Sequence, residues 1–334
     1  MSLPGPVLED VESARRRIRA IAHHTPLVPS FALSHSNDSE IRLKLESVQD
    51  TRSFKVRGAA NAIIAKREDL GATRVVTYST GNHGRAVAYV ASLLEMSAIV
   101  CMSHNTTDDK QRSLRAMGAD LRLVGDTQDE ARELAMSLAQ EGAALIDPIN
   151  DPMVTAGHGT IALELLEDWP EMETVVVPVS GGALIAGIAL VIKKLASQVR
   201  VVGVSMEHGA AMHESLARGK PTIVPEHESL ADSLQGGITL DNTHTFDMVR
   251  ELVDDLLLVS EDEIAMGMTE ALVEEGLVLE GAGATPISAL LYRARENFGH
   301  RVALVASGGV VAAGRLCELA RSRDGSLGAM LGGQ

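Results

Sequence analysis

Short β-branched runs alternate with longer helical stretches along most of this chain, and the alternation restricts the folds that it can adopt. The runs are nearly continuous in apolar residues, as in residues 174–179 and 302–306. Strands that are buried on both faces have such continuous runs, whereas strands with one solvated face alternate between apolar and polar residues. The sequence therefore predicts an α/β fold with mainly parallel sheets covered by helices.

The predicted elements follow one another in strand-then-helix order from residue 75 onwards. The predicted strands are residues 75–79, 98–102, 121–124, 174–179, 201–205, 256–259 and 302–306. The predicted helices are residues 85–94, 108–117, 129–140 and 184–195. After residue 259, Ser260 and Glu263 have the spacing of a capping box and predict a further helix.

The length of 334 residues corresponds to about two domains. No repeat or low-complexity segment marks a boundary between them. The pairs Asp147-Pro148 and Asp151-Pro152 are the clearest punctuation and predict a crossing between two parts of the fold.

Composition limits the partners and the compartment that we expect. The net charge of -15 and an aromatic content of 2% disfavour binding to nucleic acid, which needs basic patches and stacking platforms. No apolar run approaches the ~20 residues of a membrane helix, so no membrane partner is expected. Cys101 and Cys317 lie far apart and are expected to be buried, reduced thiols. The first nine residues do not resemble a signal peptide, and a cytoplasmic protein is the expectation.

Four short segments contain the candidate functional residues. They are Ser53-Phe54-Lys55-Val56-Arg57-Gly58, Ser79-Thr80-Gly81-Asn82-His83-Gly84, Ser180-Gly181-Gly182-Ala183-Leu184 and Ser307-Gly308-Gly309. Taken singly, each has an ordinary explanation. A lone lysine is usually a solvated surface group, a histidine at a helix start usually packs, and a serine-glycine segment after a strand is usually a turn.

The segment 180–184 lies between a predicted strand and a predicted helix. Small residues there let backbone N–H groups approach an anion, and a helix N-terminus favours negative charge. A phosphate site and a ligand-free tight turn both remain open for this segment alone. It is not a G-x-G-x-x-G fingerprint and lacks the ending of a P-loop, which disfavours a dinucleotide or ATP. By the same reasoning, the hydroxyls, amide and backbone N–H groups of segment 79–84 could bind a carboxylate.

In order and spacing, the four segments together resemble the fold-type II pyridoxal-phosphate enzymes, in particular the serine/threonine dehydratase and serine racemase group. The resemblance extends from about residue 14 to residue 320. It includes further matches at His24-Thr25-Pro26-Leu27, Lys44-Leu45-Glu46, residues 156–161 and Glu280-Gly281-Ala282-Gly283. Within the group, residues 78–86 and 203–212 are most similar to the hydroxyectoine-utilisation dehydratases, which are understood to act on hydroxyaspartate-like substrates.

The resemblance implies a role for each candidate residue. Pyridoxal 5'-phosphate would be the cofactor, with Lys55 holding it covalently and, once displaced by substrate, acting as the base at Cα. Phe54 would adjoin the ring, Asn82 would bond its 3′-oxygen, and Ser307 would donate to its nitrogen. The phosphate would bind to Ser180, Gly181, Gly182, Ala183 and Leu184. The substrate would bind to Ser79, Thr80, Asn82 and His83, with Thr80 also placed as a catalytic residue on the opposite ring face.

The resemblance also implies an architecture and a reaction. Residues 74–150 would form a small inserted domain carrying the loop for the substrate carboxylate, and residues 1–73 and 151–334 a large cofactor-binding domain. The expected enzyme is a homodimeric ammonia-lyase that removes water from a β-hydroxy amino acid (threonine, serine or 3-hydroxyaspartate) to give a 2-oxo acid and ammonia. An amino-acid racemase of the same fold is the alternative. A non-catalytic ligand-binding protein is a further alternative, which the retained Lys55 disfavours.

Several positions depart from the group's usual residues. Arg52 replaces a glycine, Ser180 and Ala183 replace glycines of the phosphate loop, and His158 replaces a glutamine. Ser205 and Ala211 stand where racemases have acidic metal ligands, so no metal site is expected, although Glu207 is nearby. A hydroxyaspartate would need an added cation for its second carboxylate, and Arg52 and Arg85 are the candidates nearest in sequence.

Overall fold

A computed structural model describes residues 5–79, 81–242, 244–293 and 298–319 of the chain. In this part, the strands are β1 Leu27–Ser30, β2 Glu40–Leu45, β3 Arg74–Thr77, β4 Ser97–Met102, β5 Asp120–Leu123, β6 Ala144–Leu145, β7 Thr174–Pro178, β8 Arg200–Met206, β9 Asp255–Val259 and β10 Arg301–Ala306. The α-helices are α1 Leu8–Ile18, α2 Phe31–Asn37, α3 Lys55–Leu70, α4 Asn82–Leu93, α5 Asp108–Ala116, α6 Gln128–Gln140, α7 Pro152–Asp168, α8 Ala183–Leu195, α9 Ala211–Arg218, α10 His244–Leu252, α11 Glu261–Val273 and α12 Gly281–Tyr292.

The larger sheet has the order β1-β2-β10-β7-β8-β9 among the described residues. All neighbours are parallel except the edge strand β1, which is antiparallel to β2. The central strand β7 is buried along its whole length, as its continuous apolar run predicts. The carboxyl ends of β7 and β10 lead into the Ser180 and Ser307 segments.

The smaller sheet is formed by β5-β4-β3-β6, all of them parallel in the described chain. Its strands come from residues 74–145 only, between two runs of chain that belong to the larger sheet. The return begins at Asp151, whose side chain accepts from the backbone N–H of Met153 and caps α7, with Pro152 at the first helical position. The pair Asp147-Pro148 therefore lies between β6 and α7, and the pair Asp151-Pro152 begins α7.

The α/β fold with mainly parallel sheets is confirmed, and every predicted strand is present with small differences at its ends. The capping box of Ser260 and Glu263 is also confirmed at the start of α11. Three helices begin earlier than predicted, at Asn82, Gln128 and Ala183. This difference matters because it brings residues of two candidate segments into the first turns of α4 and α8.

The prediction that both cysteines are buried is correct for only one of them. Both are free, and Cys101 is buried in β4, as expected. Cys317 is exposed, so the prediction that it is buried was wrong. It lies beyond β10, the strand of the larger sheet that comes last in the described chain. Within the described ranges, no helix combines the length and apolar character needed to cross a membrane.

Candidate active site

Lys55 is the first residue of α3, and the loop before it is fixed to the loop after β10. Ser53 and Gly308 form an isolated antiparallel bridge. The N–H of Phe54 donates to the carbonyl of Ser307 at 3.0 Å, and the N–H of Gly309 donates to the carbonyl of Arg52 at 2.9 Å. These backbone contacts bring the lysine segment and the Ser307 segment together.

The Lys55 amine is only partly exposed, and burial lowers its pKa to about 8. The negative charges of Glu280 and Asp147 oppose that decrease without cancelling it. The Nζ atom lies 5.1 Å from the centroid of the Phe54 ring. With this pKa, roughly a tenth of the amine is neutral at pH 7, far more than for an ordinary lysine, and the neutral form is the one that a nucleophile or proton acceptor requires.

The Ser79–Gly84 segment connects β3 to α4 and requires glycine at its last position. A Cβ atom at Gly84 would lie 2.0 Å from the carbonyl oxygen of Ser79. The first backbone bond of α4 runs from the N–H of Arg85 to the carbonyl of Gly81, so the preceding N–H groups have no partner within the helix. Ser79 is partly exposed, and Thr80 lies outside the described residues. The segment therefore offers backbone donors that suit a carboxylate.

Asn82 is buried, and its side-chain amide contacts Glu280 and Ser233. Its Nδ2 donates to Oε1 of Glu280 at 2.7 Å and lies 3.5 Å from Oγ of Ser233. Burial raises the pKa of Glu280 to about 7. Sequence reasoning included Glu280 only as part of a matching motif and assigned it no role; its place at the start of a buried Gly-Ala run was the available signal.

His83 is buried beside Asn82, and its ring is neutral. Its Nε2 lies 3.2 Å from the carbonyl oxygen of Ile146, while Nδ1 is buried without a partner among the described residues. Burial, with the positive charge of Lys55, lowers its pKa to about 3. The contact with Ile146 assigns the proton to Nε2, which leaves Nδ1 as an acceptor only. The ring cannot donate to a carboxylate from Nδ1, whereas the backbone N–H of His83 can.

The Ser180–Leu184 segment forms the turn between β7 and α8. Gly182 has a φ of 91°, and a Cβ atom there would lie 2.7 Å from Cε of Met212. The carbonyl of Gly181 accepts from Oγ1 of Thr245 at 2.7 Å, which fixes the turn. No side chain caps the start of α8, so its first N–H groups remain available. Ala183 and Leu184 are buried behind them, and Ser180 and Gly181 are partly exposed.

These features fit pyridoxal phosphate. The α8 turn offers uncapped N–H groups for a phosphate, and a lysine of lowered pKa lies at the start of α3. Ser307 is buried at the end of β10, where it can face a ring. An amine, a hydroxyl and a turn with free N–H groups that suit a phosphate are therefore provided by α3, the end of β10 and the start of α8.

Behind Lys55 lies a network of buried charges that sequence reasoning did not assign. The guanidinium of Arg57 donates to Glu46 at 2.8 Å and to Glu164 at 2.6 Å. Lys44 Nζ lies 2.7 Å from Glu164 and donates to the carbonyl of Thr25 at 2.7 Å. Charged residues within the otherwise buried β2 and α3 were the signal in the sequence. The network joins β2, α3 and α7 beneath the site.

His158 lies in α7 under the Phe54 ring, in an edge-to-face contact with centroids 4.7 Å apart. It is fully buried, and neither ring nitrogen has a partner among the described residues. Burial keeps its pKa well below the ordinary value. His158 therefore contributes a neutral ring that supports the residue before Lys55.

Arg52 and Arg85 have no carboxylate partner within the described ranges, unlike most arginines of this protein. Arg52 is exposed and has a φ of 64°, in the left-handed region. The guanidinium of Arg85 donates to Oγ of Ser113, while its Nε is buried without a partner in the described structure. Burial lowers the pKa of Arg85, and the positive charge of Arg52 lowers it further against the attraction of Glu280.

The residues at the positions of the racemase-type metal ligands lie in the described part of the structure. Ser205 is buried in β8, Ala211 begins α9, and Glu207 is exposed between them. Among the described residues, no group of three or more His, Cys, Asp or Glu side chains could hold a metal ion.

Known proteins resemble this chain along most of its length. The sequence model of the family described as "Pyridoxal-phosphate dependent enzyme" matches residues 18–308. An L-threonine ammonia-lyase of Thermotoga maritima is 39% identical over 303 residues, which cover 90% of this chain and 75% of the relative.

Two solved structures have the same fold. The processed form of threonine deaminase isoform 2 from Solanum lycopersicum has a TM-score of 0.83 and 30% identity, covering 96% of this chain and 95% of that one. The maize serine racemase has a TM-score of 0.88 and 29% identity, covering 96% of this chain and 98% of the other.

Proposed function

Because this chain belongs to the family of pyridoxal-phosphate dependent enzymes and is a lyase of the dehydratase type, we propose that it acts on small β-hydroxy amino acids. The proposed reaction is α,β-elimination, in which the α-proton and the β-hydroxyl leave and hydrolysis then gives a 2-oxo acid and ammonia. The observation that supports it most is the placement of Lys55, with its pKa of about 8, beside the Ser307 segment.

In this proposal, the residues bind the substrate and move one proton. The backbone N–H groups of the Ser79–Gly84 loop bind the α-carboxylate, with Ser79 and Thr80 as hydroxyl donors. Lys55 takes the proton from Cα, because its low pKa leaves it neutral enough to act as a base. His83 contributes its backbone N–H, and its neutral ring holds the loop through the carbonyl of Ile146.

The cofactor, when bound, supplies the electron sink for the negative charge that develops at Cα. Lys55 would hold it until the substrate amine displaces the lysine, Phe54 would adjoin its ring, and Asn82 and Ser307 would bond its polar atoms. The uncapped start of α8 would hold its phosphate, with small or buried residues from Ser180 to Leu184 around it. A hydroxyl at Ser307 would donate to the ring nitrogen and would not protonate it as a carboxylate would.

The fold accommodates this chemistry in two proposed lobes. Residues 74–150, with the smaller sheet, form the lobe that carries the substrate loop, and residues 1–73 and 151–334 form the cofactor lobe. A cytoplasmic homodimer is the proposed state of the enzyme.

Among β-hydroxy amino acids, we favour 3-hydroxyaspartate, as the similarity to hydroxyectoine-utilisation dehydratases suggests. Its second carboxylate needs a cation, and Arg52 and Arg85 are the unpaired arginines near the site. Arg85 lies one turn after Asn82 on the same helix face, and Arg52 lies three residues before Lys55. Threonine and serine lack the distal carboxylate and are the competing substrates.

The test is a panel of threonine, serine and 3-hydroxyaspartate isomers, scored for 2-oxo acid and for inversion at Cα. Wild type, Arg52→Ala and Arg85→Ala are compared by kcat/KM for each substrate. Loss of an arginine that binds the distal carboxylate lowers the value for hydroxyaspartate selectively, by about 10-fold to 100-fold. Equal losses for all substrates, or a wild type that prefers threonine, would reject the substrate assignment. Inversion without 2-oxo acid would identify a racemase instead.

A further inference from the structure

Glu280 is a buried carboxyl at a junction between the two sheets. It precedes α12, and its backbone N–H donates to the carbonyl of Gly308 at 3.1 Å, directly after Ser307. Only 4% of the residue is exposed. Its side chain contacts Asn82, the first residue of the helix that follows β3 of the smaller sheet. Glu280 itself belongs to the chain that leads into β10 of the larger sheet.

In each described hydrogen bond of the Glu280 side chain, the carboxyl is the acceptor. Oε1 accepts from Nδ2 of Asn82 at 2.7 Å and from Oγ of Ser233 at 3.1 Å. Oε2 accepts from the backbone N–H of Val310 at 3.2 Å. An ionised carboxylate accepts from all three donors, whereas a protonated one loses an acceptor site and can turn its own O–H only toward Oγ of Ser233 among these groups. The geometry thus suits the ionised form.

Burial opposes ionisation of the Glu280 carboxyl, and charges of both signs surround it. Burial raises the pKa of Glu280 to about 7, and the negative charge of Asp232 raises it too. Lys55 in α3 and Arg85 in α4 are the cations that face it, since Glu280 raises the pKa of each. Neither forms an ion pair with it in the described structure. The charge of Glu280 consequently changes near neutral pH.

We propose that Glu280 is a positioning residue whose ionised carboxylate holds the side chain of Asn82 in the orientation that the cofactor ring requires. This inference depends on the cofactor role that the proposed function gives to Asn82. The amide nitrogen of Asn82 donates to Glu280 at 2.7 Å and lies 3.5 Å from Oγ of Ser233, so the bond to the carboxylate restricts the rotation of the amide. Protonation of Glu280 weakens that bond and releases the amide, so cofactor binding weakens as pH falls through the pKa of Glu280.

The first experiment measures cofactor affinity rather than turnover. The protein is freed of cofactor and titrated with pyridoxal phosphate, followed by absorbance, from well below to well above the pKa of Glu280. Wild type and Glu280→Gln are compared with the same ligand, so titration of the ligand's own phosphate is common to both, whereas the pKa of Lys55 falls further once the Glu280 charge is removed. The wild-type affinity falls on the acid side as Glu280 is protonated, and this part of the decrease is called the acid limb. Glu280→Gln binds about 10-fold more weakly above pH 7 and lacks the acid limb, so its affinity depends less steeply on pH.

Two neighbouring substitutions give opposite shifts that a merely structural role would not produce. Ser233→Ala removes a donor that stabilises the carboxylate, so the pKa of Glu280 rises and the acid limb moves to higher pH. Asp232→Asn removes a like charge, so the limb moves to lower pH. Asp232 pairs with Lys110 at 3.4 Å only at the surface, so this substitution should not disturb the fold.

The inference is overturned if Glu280→Gln keeps the wild-type acid limb, or if Ser233→Ala and Asp232→Asn leave the limb in place. Should Glu280→Gln not fold, the opposite shifts of the other two variants still decide the matter. Failure of the proposed function has a different signature. A protein that shows the predicted cofactor titrations but no elimination activity would contradict the proposed reaction and support the role of Glu280.

Discussion

The backbone N–H of Phe54 donates to the carbonyl oxygen of Ser307 at 3.0 Å, which connects two segments that lie far apart in the sequence. The Ser53–Gly308 bridge and the bond from Gly309 to Arg52 extend this contact on both sides. Because α3 starts at the next residue, the position of Lys55 depends on the end of β10. The positions of the Lys55 amine and the Ser307 hydroxyl therefore depend on each other through these backbone contacts.

The first prediction concerns Lys55. Lys55→Ala is expected to abolish covalent attachment of the cofactor and turnover while leaving the protein folded. Burial lowers the pKa of this amine, so its removal relieves a desolvation cost instead of breaking a structural ion pair. Borohydride treatment followed by peptide mapping gives the attachment site, and thermal unfolding checks the fold.

Lys66 is the matched control, because it lies in the same helix but pairs with Asp151 at 2.6 Å. Lys66→Ala should retain the cofactor on Lys55 and lose stability instead. Attachment of the cofactor to any other lysine in wild type would refute the assignment.

The second prediction concerns the hydroxyl of Ser307. Ser307→Ala should leave the ring nitrogen without a donor, at a cost of roughly 1–3 kcal/mol in cofactor affinity. The dissociation constant for pyridoxal phosphate and kcat are the measured quantities. Ser53→Ala is the control, because the Ser53 hydroxyl is buried two residues from Lys55 and has no partner in the described structure. Equal affinity for wild type and Ser307→Ala would mean that Ser307 does not bind the ring.

Local sequence patterns were sufficient for the fold class and for most strands of the sheets. Continuous apolar runs such as β7 need burial on both faces, and this requirement determines parallel strands with helices on each side. The edge strand β1, its neighbour β2 and the two-residue β6 were not predicted. β1 contains Pro29, which is tolerated only at an edge, and β6 is too short to have a pattern.

The candidate residues were found because they occur in short glycine-rich segments after strands. Residues that act through long-range contacts have no such signal. Asn82 and Glu280 meet only when the two sheets come together, and the low pKa of Lys55 results from burial by distant elements. The neutral tautomer of His83 likewise depends on the carbonyl of Ile146, which sequence alone does not bring near.

The third prediction is that divalent ions are dispensable. Ser205 and Ala211 offer no carboxylate at the places where racemases of the group have ligands, and hard cations prefer carboxylate oxygens. Treatment with a chelator should leave kcat and the unfolding temperature nearly unchanged. A large loss that magnesium or calcium restores would contradict this and point to Glu207, which Glu207→Gln would then test.

The fourth prediction concerns the buried charges behind the site. Arg57→Met should lower the free energy of unfolding by about 3–5 kcal/mol, because it leaves Glu46 and Glu164 buried without their shared cation. Denaturant unfolding gives the value. The control is Arg112→Met, whose partner Asp109 is exposed, and it should cost less than about 1 kcal/mol. A small effect at Arg57 would mean that Lys44 alone can stabilise both carboxylates.

The last prediction separates stability from specificity at Arg52. Its φ of 64° is costly for a residue with a Cβ atom and free of strain for glycine. The backbone bonds to Gln49 and Gly309 hold it in this conformation. Strain that persists beside a reactive lysine is consistent with a functional side chain. Arg52→Gly should therefore raise the free energy of unfolding by about 1 kcal/mol while kcat/KM for 3-hydroxyaspartate falls about 10-fold or more and that for threonine does not.

Glu95 provides the comparison, since it too has a positive φ, of 55°, and lies exposed at the end of α4. Glu95→Gly should give a similar gain in stability, because it relieves the same backbone strain, but no change in selectivity. Denaturant unfolding and the substrate panel are measured on both variants. If Arg52→Gly gains stability and keeps its preference for hydroxyaspartate, the arginine does not bind the distal carboxylate and Arg85 becomes the sole candidate. If it loses stability, the arginine side chain contributes more to the fold than its backbone strain costs.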